Sequence, residues 1–228
     1  MSDLTSLLAS ILPYAIGALF SPLILYTLLA TISPINRPRL SSFAFLFGSV
    51  IIFLILAFIG LYIGTTLFGI NARTVQTSSI IETVFGIILL IIAVKTIFVG
   101  EESRSGGLIN FINLQKNSFL SVFLKFFYFG LIAVLASFTT AIFITVAGII
   151  IGLSNPGFTN TAITVTILGL ISLFVAEISF IFYLISPDAA EDILDPFREW
   201  APKYGDYLTG FVYFIIGLFL ITRGFYTF

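Results

Sequence analysis

Six apolar runs of about twenty residues or more follow one another along this chain, with only short polar breaks between them. A helix needs about 20 apolar residues to cross the hydrocarbon core of a bilayer. Backbone placed in lipid must also satisfy its own hydrogen bonds, which favours helices. The runs extend from about Leu4 to Ile32, Leu40 to Ile63, Ile80 to Val99, Ser118 to Leu153, Thr161 to Ile185 and Tyr207 to Phe225. Only 9% of the residues are charged, against about 25% in soluble domains. The expected fold is an all-α integral membrane protein with six transmembrane helices. The runs take up nearly the whole length, so residues 1–228 are read as a single transmembrane domain.

Several chemistries are excluded by residue type. The chain has no Cys and no His, which removes thiolate metal sites, thiol relays and imidazole proton shuttles. A net charge of −1 points to no nucleic-acid partner. No Ser/Lys pair or Asp dyad is placed for catalysis, so the chain is not read as an enzyme. No cofactor and no metal are expected. The acidic stretch from Asp188 to Asp206 lacks ligand spacing. It reads either as a solvated loop or as a short helix opened by Asp195-Pro196. In the second case Ile193, Phe197 and Trp200 form a stripe on the membrane surface. The opening MSDLTSLLAS lacks the basic n-region of a signal peptide and reads as the start of the first helix.

Basic residues give the orientation. Arg37, Arg39, Lys95, Arg104, Lys116, Lys125, Arg198 and Lys203 fall on one side of the six-helix scheme, and Arg73 and Arg223 on the other. The expected location is the cytoplasmic (plasma) membrane, multi-pass, with both termini outside.

The third and sixth runs resemble each other. ETVFGIILLIIAVKTIFVG from Glu82 aligns with DYLTGFVYFIIGLFLITRG from Asp206, an offset of 124 residues (82 to 206). Gly86 falls on Gly210 and Gly100 on Gly224; more weakly, Gly48 falls on Gly169. Three helices per unit forces the second unit to enter from the opposite face. The expectation is an inverted 3+3 repeat, with repeat 1 at about 1–100, a connector at about 101–117 and repeat 2 at about 118–228. Transporters of this architecture hold their site near the midplane.

Polar interruptions at matched depth mark the candidate substrate pathway: Ser21 and Pro22 in the first run, Ser137, Thr139 and Thr140 in the fourth. A proline inside a helix frees a carbonyl at a cost of about 3 kcal/mol, and hydroxyls beside it can receive a polar group. The alternative is that these hydroxyls bond to their own helices and serve packing. Glu177 reads as the acidic residue well inside a span, where a charge costs about 2.5–3.5 kcal/mol. It is either a proton carrier or a structural partner for a hydroxyl or a lysine. Glu82 and Asp206 read as acidic groups at helix starts, complementing the dipole. Lys95, Lys125 and Arg223 read as side chains reaching the headgroups.

The stretch SPLILYTLLATISPINRPRLSSFAFLFG, the FREW segment and the Gly-punctuated last helix resemble the lysine-exporter (LysE) superfamily. Within it they look most like the GAP family of peptidoglycolipid-addressing proteins. Where such relatives carry an Asn-Pro-Lys-like element, this chain has Ser137-Phe138-Thr139-Thr140. The resemblance implies a small exporter of inverted 3+3 topology that moves lipid-linked or glycolipid cargo.

The leading expectation is therefore a secondary transporter or exporter of an amphipathic, lipid-linked or small polar substrate, coupled to protons through Glu177. A lipid flippase or lipid-addressing factor without proton coupling is the alternative, and a non-transporting scaffold subunit the third. Membrane lipids and the substrate are the expected partners, and a homo-oligomer is left open.

Overall fold

Long unbroken helices follow directly from the apolar runs, and the departures from them shape the site. The computed structural model describes residues 4–20, 38–68, 74–99 and 119–226, and every element among them is helical. In chain order these are α1 (Leu4–Leu19), α2 (Pro38–Ile63) with a π-helical turn at Gly64–Phe68, α3 (Thr74–Val99), α4 (Phe119–Ala136), α5 (Phe138–Ser154), α6 (Phe158–Ser172), α7 (Phe174–Ile185) and α8 (Pro187–Tyr226). Four of the helices are long and apolar enough to cross a membrane, or five spans if α6 and α7 count as one. Ser21, Pro22 and the 101–117 connector lie outside the described residues.

Three expectations about the elements change. The fifth run is two helices, α6 and α7, bent by 69° at Leu173. The Leu173 carbonyl there accepts from both Ala176 and Glu177, and the Leu173 side chain is buried in the main core. The acidic stretch after Ser186 is helical from Pro187 onward and continuous with the last span, instead of opening a short helix at Pro196. Proline suits a first helical position, where its missing N–H is not needed. Helix α3 begins at Thr74, not near Ile80. Glu82 therefore stands two turns inside a helix, and Asp206 lies deep within α8, so neither complements a helix start. The fourth run breaks at Ser137, the first of the polar residues that interrupt it, with ψ of 82°.

Packing is governed by glycine. Helix α2 runs parallel to the α4–α5 unit, and their backbones touch at two places. A Cβ at Gly48 would strike the Phe127 carbonyl, and one at Gly130 the Phe45 carbonyl. Further along, Gly60 meets Thr145 and Gly148, and Gly152 meets Leu61 and Gly64. Close backbone approach of this kind replaces the hydrophobic effect as the driving force inside lipid. Helix α3 packs antiparallel on α8, with Gly86 against the Gly217 backbone and Gly210 against Ala93 and Ile97. Gly48 and Gly169 play different parts, because Gly169 faces the Phe53 ring.

Helix α1 packs against α5 and α6. At the centre, Tyr14 stacks on Phe85 at 5.6 Å, Phe85 meets Phe143 edge-on at 5.2 Å, and Phe143 lies 5.5 Å from Tyr213. The outward faces are apolar: Phe58, Ile91, Phe119 and Phe211 are all exposed, as lipid contact requires.

Candidate functional site

Ser137 is the pivot of the central polar group. Its non-helical ψ separates α4 from α5, and its hydroxyl donates to Thr140 Oγ1 at 2.7 Å. The Thr140 hydroxyl in turn donates to the Ala18 carbonyl of α1 at 3.5 Å. That acceptor has a covalent reason to be available: the residue four positions on is Pro22, which carries no N–H. Thr139, on the adjoining face, accepts from the Tyr213 hydroxyl of α8 at 3.0 Å. Ser137 and Thr140 are buried. Three of the sequence-derived pathway residues thus come together with Ala18 and Tyr213, linking α1, α5 and α8 at the helix break.

Glu177 is only partly buried and lies in the first turn of α7, directly after the Leu173 bend. Among the described residues its carboxylate has no hydrogen-bonding partner, so the hydroxyls of α5 do not hold it. Its neighbour Ala176 packs with Phe45 and Ala133, one turn before Ser137. The two helix breaks are thereby brought near each other, with Glu177 at the edge of the junction.

A second polar group was not legible as a group. Glu82 of α3, only 4% exposed, lies 3.5 Å from Arg223 Nε of α8. The Arg223 Nη2 donates to Ser10 Oγ of α1 at 2.8 Å, and Ser10 donates back to the Ser6 carbonyl. Arg223 is thus an ion-pair partner tying three helices, instead of a side chain reaching only for headgroups. One turn along α1 stands Tyr14, fully buried, whose hydroxyl has no partner among the described residues. Among the described residues no group of His, Cys, Asp and Glu could hold a metal.

Apolar helices enclosing two small polar groups, with a lipid-like exterior, define a multi-pass helical membrane protein. The chain belongs to the SfLAP family, described as Sap, sulfolipid-1-addressing protein, whose sequence model matches residues 11–226. It is thus a member of a membrane protein family related to lipid addressing. No match was found among curated proteins or among solved structures.

Proposed function

We propose that the chain is a small secondary exporter of the cytoplasmic membrane, moving an amphipathic, lipid-linked or small polar cargo past the Ser137 break. The observation that carries this reading is the hydroxyl chain from Ser137 through Thr140 to the Ala18 carbonyl, set at a helix break inside the core. A broken helix exposes backbone groups that can bind cargo where lipid supplies none. The pathway is assigned to Ser21, Pro22, Ser137, Thr139, Thr140 and Glu177, with Glu177 as a proton carrier at its edge. No catalytic step is involved.

The proposed frame is six spans in an inverted 3+3 repeat: the α1 region, α2, α3, α4–α5, α6–α7 and α8, with both termini outside. Its support is a reciprocal contact. Gly86 touches Gly217, and the positions 124 residues away from each, Gly210 and Ala93, touch each other. Likewise α2 lies along the α4–α5 unit as α6 lies along α1. Kinship with the LysE superfamily is part of the same reading.

A second reading, a lipid flippase without proton coupling, is favoured by the lipid-addressing description of the family. The test compares the surface lipids of cells carrying the wild type, no copy, or a Ser137→Ala/Thr140→Val variant, by mass spectrometry of outer-leaflet extracts. Export predicts a lipid class missing from the surface and retained inside in the last two. Unchanged surface lipids in all three would overturn the flippase reading and the exporter reading for any lipid-linked cargo. Dissipating the proton gradient separates them, because only the exporter stops.

A further inference from the structure

Glu82 sits inside the candidate span Ser79–Phe98, and its side chain is 5% exposed. The groups around it come from three helices. Helix α8 supplies Arg223, whose Nε lies 3.5 Å from its carboxylate. Helix α1 supplies Ser10, bonded to that guanidinium, and Tyr14. Helix α5 supplies the Phe143 ring, which closes the apolar side through Phe85.

Two features set this pair apart from a purely structural one. Its approach of 3.5 Å is longer than the about 2.7–2.9 Å of a tight charge-assisted hydrogen bond. Tyr14 stacks on Phe85, three residues after Glu82, and stands one turn along α1 from the Ser10 that bonds Arg223; its buried hydroxyl has no hydrogen-bonding partner among the described residues. A buried, unpaired phenol is costly. It gains a partner if the Glu82 carboxyl, released from Arg223, turns toward it. Arg223, 30% exposed, gives that carboxyl a route to water.

We propose that the Glu82 carboxyl is a proton-binding site, with Arg223 as its counter-ion when empty and the Tyr14 hydroxyl as its hydrogen-bonding partner when loaded. Loading adds one proton from water to a Glu82 carboxylate oxygen, giving a neutral acid. Arg223 keeps its charge, so the cluster goes from neutral to one positive charge. Loss of the ion pair weakens the tie that Arg223 makes between α3, α8 and Ser10 of α1. The place of this event in an export cycle rests on the exporter reading above; the proton site itself does not.

The test is infrared difference spectroscopy of the full chain in lipid nanodiscs between high and low pH, reading the C=O stretch of protonated carboxyls. The expected result is a set of bands that grows as pH falls, from which Glu82→Gln removes one component that Glu177→Gln leaves in place. Tyr14→Phe should move that component to higher frequency through loss of a hydrogen bond. A Glu82→Gln spectrum with every wild-type component intact, or no band at any pH at which the protein stays folded, would overturn the proposal. An unmoved component in Tyr14→Phe would overturn the role of Tyr14. If Glu82→Gln does not fold, Glu82→Gln/Arg223→Gln removes the stranded charge, and persistence of every wild-type component there overturns the proposal equally. The surface-lipid assay on the same variants is a separate readout, and failure there tells against export without touching the titration.

Discussion

Arg39 Nε donates to the carbonyl oxygen of Tyr183 at 3.1 Å, across 144 residues of sequence. The helical partner of that carbonyl would be the N–H of residue 187, and residue 187 is a proline. A guanidinium from the first turn of α2 thus supplies the donor that the proline lacks, at the end of α7 where the dipole favours a positive charge. Arg39→Ala should lower stability by about 1.5–3 kcal/mol, the scale of a hydrogen bond to a charged group. Thermal unfolding in detergent measures it, and Arg39→Lys should recover only part of the loss.

Thr140→Val keeps the shape of the side chain and removes the donor to Ala18. The expected cost is about 1 kcal/mol, in line with hydrogen bonds between membrane helices. Thr139→Val should behave similarly by removing an acceptor of the Tyr213 hydroxyl. The expected signature is a lower melting temperature in both, with the larger effect on surface-lipid export in Thr140→Val.

Gly48 and Gly205 form a contrasting pair. Alanine at Gly48 must displace the Phe127 carbonyl, so α2 and α4 separate and stability falls by about 1–3 kcal/mol, the range for overpacking. Around Gly205 nothing lies within 4 Å of the added carbon, and the residue is inside a helix. Gly205→Ala should therefore raise stability by up to about 1 kcal/mol. Denaturation of the two variants side by side checks the sign of each.

Removing Arg223 strands the buried Glu82 carboxylate, while removing Glu82 leaves a guanidinium that is 30% exposed. Breaking a buried pair costs about 3–5 kcal/mol in soluble proteins. Arg223→Ala should therefore be more damaging than Arg223→Ala/Glu82→Ala. A double-mutant cycle on folded fraction measures the coupling, and additive losses would show that the two side chains act independently.

The absence of cysteine makes orientation directly testable. A cysteine placed at Phe228 should react with a membrane-impermeant maleimide added outside intact cells. One placed at Ser103 should react only after the membrane is opened.

The apolar runs made the helical membrane class legible, and the fourth run disclosed its break because Ser137, Thr139 and Thr140 interrupt it. The bend at Leu173 carried no such mark. Leucine, serine and phenylalanine around it are ordinary helix residues, and the turn is stabilised by where their side chains pack. Glu82 and Arg223 are 141 positions apart, and each alone reads as an end-of-helix charge. Only the antiparallel crossing of α3 and α8 joins them. Two acceptors were within reach of simple counting, since Ala18 precedes Pro22 by four residues and Tyr183 precedes Pro187 by four. What sequence withheld was which distant donor would answer.

The glycine contacts along α2 fix two points, and the chain lengths between them differ. From Gly48 to Gly60, α2 takes 12 residues, while the opposing α4–α5 unit takes 18 from Gly130 to Gly148. At 1.5 Å per residue, these are about 18 Å and about 27 Å of helix. One is a chord and the other an arc over it. A straight helix cannot be longer than the chord between the same two anchors, so α4–α5 must bow, and Ser137 lies within the bow. No change at Ser137 alone can straighten that span. Straightening it requires one of the two glycine anchors to let go, which makes the anchors, more than the hydroxyls, the keepers of its curvature.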